Sequence, residues 1–187
     1  MENKTKLPLI YIIGLPIIVL VANALANIKF TILGSYLSVS AFLYPLSFFI
    51  TCLIIKKTNY KNALRIMIFA LAAEALAAVV EWIVLKEMDS YVMIYGYLSL
   101  LICQLILIYT YDFLVKKKKD TFIFVFLLLL VVSAIDNAFF GAIIEGQYIS
   151  FSSLVRLIYA IVLACILTKK TQKVKLDKEE KKTEAQQ

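Results

Sequence analysis

Phe122-Ile-Phe-Val-Phe-Leu-Leu-Leu-Leu-Val-Val-Ser133-Ala-Ile-Asp136-Asn137-Ala-Phe-Phe140 is the stretch on which the fold turns. Every residue from Phe122 to Val132 is apolar, so no face is left for water, and neither an amphipathic surface helix nor a half-buried strand fits. A run of this kind at spanning length belongs in the hydrocarbon of a bilayer. Working outward in both directions, the same criterion gives spans at 7–27, 31–55, 62–86, 91–115, 121–145 and 150–168. The expected fold class is all-α: a polytopic membrane protein with a bundle of six transmembrane helices, followed by a charged, flexible cytoplasmic tail at 169–187 that is solvated and helical at best. Composition agrees, since the 187 residues are 62% hydrophobic and only 18% charged, against roughly 25% charge in soluble domains.

The breaks between the runs are short and polar. Asn27-Ile-Lys29-Phe-Thr31 is the briefest, which predicts a tight hairpin of the first two helices. Ala24-Leu-Ala26 resembles a leader-cleavage site, but the apolar run before it is about 20 residues, longer than the usual 7–15 of a leader, and reads as a span. Seventeen of the twenty Lys and Arg residues fall at the amino terminus, around Lys56–Arg65, at Lys116–Lys119 and beyond Lys169, all on one side of a six-span arrangement. Lys29 and Lys86 alone fall in the opposite loops. This asymmetry predicts both termini inside, in the cytoplasmic membrane. The net charge of +7 then encodes orientation, and no nucleic-acid partner is expected.

Several function classes drop out. The chain has no histidine, which removes His-based triads, bases and metal sites. No phosphate-cradling glycine loop occurs either. Neither enzymatic activity nor a cofactor or metal is expected. Cys52, Cys103 and Cys165 are widely spaced within the spans and read as small buried apolar residues.

Function then falls to the polar residues inside the bilayer, where an ionisable group costs about 2.5–3.5 kcal/mol on insertion scales. Glu74 and Glu81 stand seven residues apart on one face of the third helix and are candidates for ion coupling, as is Asp136. Asp136, with Asn137, lies ~13 Å from the outer end of the fifth span, and Arg156 enters the sixth by ~9 Å. At similar depth, the two are expected to pair or to hold a ligand jointly. Asn23 and Gln104 add amide donors and acceptors, and Tyr44, Ser47 and Thr51 run along the second helix around Pro45, which removes a backbone hydrogen bond. For Gln104 and Thr51 the simpler expectation is interhelical hydrogen bonding. Asp112, four residues before Lys116, reads as an interfacial salt-bridge partner. Ala22 with Ala26, and the run Ala70–Ala78, permit close helix contact.

Asn23, then Phe42-Leu-Tyr44-Pro45-Leu-Ser47-Phe48 with Thr51, then Asn59-Tyr60-Lys61-Asn-Ala63-Leu-Arg65, and later Ser133-Ala-Ile-Asp136-Asn137-Ala-Phe139-Phe140 together resemble the VUT family of queuosine precursor transporters. The resemblance covers about four-fifths of the chain at low similarity. It implies six helices, a bacterial cytoplasmic membrane and uptake of a 7-deazaguanine precursor. The chain departs from the pattern where Cys52 follows Thr51, a position commonly acidic in the family, and where Arg156 replaces a lysine.

The leading expectation is a transporter in which Asp136, Asn137 and Arg156 anchor a nucleobase-like solute, Asn23 and Gln104 read its polar edge, and Tyr44 or Phe48 stacks on it. A substrate-binding component of an energy-coupling-factor vitamin transporter, with an ATPase module as partner, is the alternative; its coupling surface resembles the Ala22/Ala26 pair. The remaining alternative is a non-transporting scaffold, alone or as a homo-oligomer, in which polar groups pin helices together.

Overall fold

The computed structural model describes residues 9–25, 28–32, 35–85, 90–140 and 151–184. Six helices dominate: α1 (Leu9–Ala24), α2 (Ser40–Lys57), α3 (Tyr60–Leu85), α4 (Ser90–Lys116), α5 (Phe122–Phe140) and α6 (Phe151–Glu184). Four stretches are long and apolar enough to cross a membrane, namely Ser40–Lys57, Tyr60–Val80, Tyr97–Lys116 and Phe122–Phe139. The apolar part of α1, Ile10–Ala24, is shorter, and α6 leaves its apolar section at Lys169.

One expectation is corrected. Where a second span was expected to begin at residue 31, the chain forms an antiparallel hairpin of β1 (Lys29–Ile32) and β2 (Ser35–Ser38), pairing Lys29 with Ser38 and Ile32 with Ser35. Phe30-Thr-Ile32 and Tyr36-Leu37 are β-formers on either side of a two-residue connection, and α2 starts only at Ser40. Beyond the expected end of the last span at 168, the backbone of α6 stays helical to Glu184, consistent with the helix-forming character of Lys, Glu and Gln.

Local chemistry sets the turns. The Asn59 side chain accepts from the Asn62 backbone N–H (2.9 Å), capping α3. After α4, Lys118 adopts a left-handed conformation (φ 55°), while the Lys118 N–H reaches the Val115 carbonyl (3.1 Å) and the Lys119 N–H the Leu114 carbonyl (2.9 Å). That is a Schellman-type stop, built here on lysine where glycine is usual.

Helix α2 is the hub, packed against α1, α3, α4 and α6, while α5 sits between α4 and α6. Its buried positions include Tyr44, Phe48, Cys52 and Ile55 on one face and Ser40, Ser47, Thr51 and Ile54 on another. The helix continues through Pro45, whose missing N–H leaves the Ala41 carbonyl without its helical donor. The outside of the bundle is apolar too: Ile68, Phe69, Leu76, Val79, Val80 and Ile83 of α3 are exposed. A helix apolar all round is suited to lipid.

The bundle has two chemically distinct ends. At one, the hairpin lies on α2 and α6, with Phe30 and Phe42 in tilted ring contact (6.4 Å) and Ala41 packed with Val155. At the other, the lysines gather. Lys57 Nζ donates to Tyr11 Oη (2.6 Å), Lys56 Nζ donates to the Leu167 carbonyl (2.6 Å) and lies 3.8 Å from Asp120, and Lys116 pairs with Asp112 (2.6 Å), the expected i,i+4 contact. Cys52 and Cys103 are buried and Cys165 is half-buried, all as free thiols.

Candidate functional site

Each ionisable residue of the interior continues a buried apolar face. On α5 that face is Val125, Leu129 and Val132, and the next turn brings Asp136 inward. On α3 it is Ala63, Met67 and Ala70, followed by Glu74; on α6, Arg156 precedes Ala160, Leu163 and Leu167. Packing these faces together forces the polar groups into one layer near the hairpin end.

Asp136 is 1% exposed and Arg156 7%. Arg156 Nη1 donates to Asp136 Oδ2 and also lies 3.3 Å from the Ser133 carbonyl, while Ser99 Oγ donates to Asp136 Oδ1 (2.8 Å). Both carboxylate oxygens are thereby bonded and the pair is charge-balanced. Such satisfaction is what allows two ions to stay away from water.

Tyr44, 2% exposed, donates its hydroxyl to Asn23 Oδ1 of α1. Asn23 is bonded to Tyr44, and Ser99 and Arg156 to Asp136, and Tyr44 lies within electrostatic reach of Glu74, Asp136 and Arg156. Each of the six helices thus contributes one polar side chain to a cluster linked partly by hydrogen bonds and partly by charge. Two atoms in it are buried without a hydrogen-bond partner among the described residues, Glu74 Oε2 and Arg156 Nε.

Gln104 makes its side-chain hydrogen bonds to α2. Its Nε2 donates to Ser47 Oγ (3.2 Å), its Oε1 accepts from Thr51 Oγ1 (2.8 Å), and Ser47 Oγ donates to the Tyr44 carbonyl (2.7 Å). This is a neutral clasp between α2 and α4, as the interhelical expectation for Gln104 and Thr51 had it. Asn137 faces the α6 side, where its Nδ2 donates to Ser153 Oγ (3.0 Å). Phe48 belongs to the apolar core. The side chain of Glu81 lies outside the described residues, as does Glu145. Ala22 is fully buried inside the bundle, so its face is spent on internal packing, and Ala26 is outside the described residues.

Sequence reasoning passed over Ser99 and Ser153. A serine in a span is commonplace; the available signal was position, because Ser99 precedes the buried Cys103 by one helical turn. Among the described residues no group of three His, Cys, Asp or Glu could hold a metal ion. No family model, no curated protein and no solved structure matches this chain.

Proposed function

We propose that the chain is an integral membrane transporter of the cytoplasmic membrane, crossing it six times with both termini inside, for uptake of a small nucleobase-like solute such as a 7-deazaguanine precursor of queuosine. The observation that carries this reading is the convergence of six helices on one buried cluster with an unmatched donor and an unmatched acceptor. Pinning helices together calls for matched partners, as in the Ser47–Thr51–Gln104 clasp. A site for a polar solute calls for bonding capacity left over.

Arg156 offers a donor and Glu74 an acceptor, a combination suited to a heterocycle whose edge carries a carbonyl beside ring and exocyclic N–H groups. Each unsatisfied buried group costs about 1–3 kcal/mol. A solute that satisfied both would recover part of that on binding, and every 1.4 kcal/mol is tenfold in affinity. The scaffold reading keeps the neutral clasp as its support. The energy-coupling reading loses Ala22 as a docking position, because that residue is buried.

The test is a thermal-unfolding screen of the purified chain against 7-deazaguanines, nucleobases and small vitamins. A ligand at a hundred times its dissociation constant adds about 2.7 kcal/mol to stability and raises the melting temperature. Stabilisation by a deazaguanine that is lost in Arg156→Ala supports the site. Stabilisation by a vitamin alone favours the energy-coupling alternative, and no response to any of them favours the scaffold.

A further inference from the structure

We propose that Glu74 holds the coupling ion of this transporter as a single proton, taken up by its carboxylate when the bundle closes and given back to water when it opens. The inference rests on the transporter reading for what the proton drives, but the protonation itself does not depend on it.

Asp136, Glu74 and Glu81 all qualify as coupling groups by sequence, and geometry separates the first two. Asp136 is bonded on both oxygens and neutralised by Arg156. Its charge is already balanced, and adding a proton would break the ion pair. Glu74 is 4% exposed, with Oε2 buried and unbonded among the described residues. It stands fourteen residues into α3, about 21 Å from the start of that helix by helical rise. Helix α3 packs against α1, α2 and α4. From α2 the titratable group near Glu74 is Tyr44, and Tyr97 of α4 in turn neighbours Tyr44. From α1 the polar group bonded to Tyr44 is the neutral Asn23, and the only described titratable residue of that helix, Tyr11, is held by Lys57 at the opposite end. Across the cluster, Asp136 and Arg156 cancel each other. No cation from any neighbouring element therefore compensates an ionised Glu74 among the described residues.

A carboxylate in that position is left with two states. Ionised, it is a desolvated charge with no partner, the least favourable arrangement for a buried ion. Protonated, it is neutral and its O–H can donate to a neighbour or a solute. When the site opens to water on either side the first state becomes accessible again, the O–H bond breaks, and the proton passes to water. One proton would accompany each closure, and the step balances because the carboxylate that binds it is the carboxylate that releases it.

The experiment uses the full chain in lipid vesicles. Infrared difference spectroscopy at neutral pH should show a protonated-carboxyl C=O stretch that shifts on exchange into D2O, is absent in Glu74→Gln and persists at a displaced frequency in Glu74→Asp. In the same vesicles, uptake of a 7-deazaguanine driven by an acid-outside gradient should exceed ungradiented uptake at least tenfold in the wild type. In Glu74→Gln, which keeps an acceptor oxygen for the solute but cannot take up the proton, that ratio should fall to about one, whatever level of ungradiented uptake remains. An ionised Glu74 in a protein that moves solute overturns this inference alone, and so does a sodium-dependent shift of carboxylate bands in place of the protonated one. A protonated Glu74 in a protein that moves no solute overturns the coupling role through failure of the transporter reading.

Discussion

Asp136 and Glu74 are carboxylates buried in the same bundle, both within reach of Tyr44, yet the interior treats them in opposite ways. Asp136 is met by Arg156 and by Ser99; Glu74 Oε2 is met by nothing among the described residues. The α5–α6 side has a closed electrostatic account, and the α3 side keeps an open one. A buried charge that is matched is a structural element, costly to break from either half. A buried acid that is unmatched is tolerable only if it changes protonation state or meets a ligand.

The largest effect should come from breaking the matched side. Arg156→Ala strands Asp136 and is expected to lower stability by about 3–5 kcal/mol, as loss of one partner of a buried pair does. An Asp136→Leu/Arg156→Met double variant should recover much of that loss, because no ion is then left unpaired. Equilibrium unfolding in mild detergent measures both. An intermediate effect is expected at the neutral clasp, where Thr51→Val removes one donor from Gln104 and should cost roughly 0.6 kcal/mol, and at most about 1.7, the range measured for hydrogen bonds between membrane helices. The smallest belongs to the unmatched side. Glu74→Gln removes no bond present among the described residues, so stability should be unchanged or slightly higher, and a loss comparable to that of Arg156→Ala would reveal a partner for Glu74 and erase the contrast.

Much of the architecture was legible because apolar runs of spanning length are hard to mistake: α2 to α5 start or end within a few residues of the expected spans except at the hairpin. The hairpin was not legible, since Phe30-Thr-Ile32 and Tyr36-Leu37 are apolar enough to extend a neighbouring membrane run and hydropathy cannot separate strand from helix. How far α6 continues past the last span was also open in the sequence. A Lys- and Glu-rich stretch announces solvation by its charge while remaining a good helix former. Within the site, the meeting of Asp136 and Arg156 followed from their similar distances to the α5–α6 connection. The grouping of Gln104 with Ser47 and Thr51 needed the packing of α2 on α4, which no linear reading supplies.

Whether that buried cluster is a solute site or a set of pins is decided by uptake normalised to folded protein. Wild type, Asp136→Asn and Arg156→Ala are reconstituted into vesicles, the folded fraction of each is measured, and uptake of a 7-deazaguanine is followed. Uptake per folded molecule should drop at least a hundredfold in Arg156→Ala, which removes the unmatched donor, and in Asp136→Asn, which no longer holds the guanidinium in place, whatever happens to yield. Uptake per folded molecule equal to wild type, with only the yield reduced, would contradict the solute-site reading.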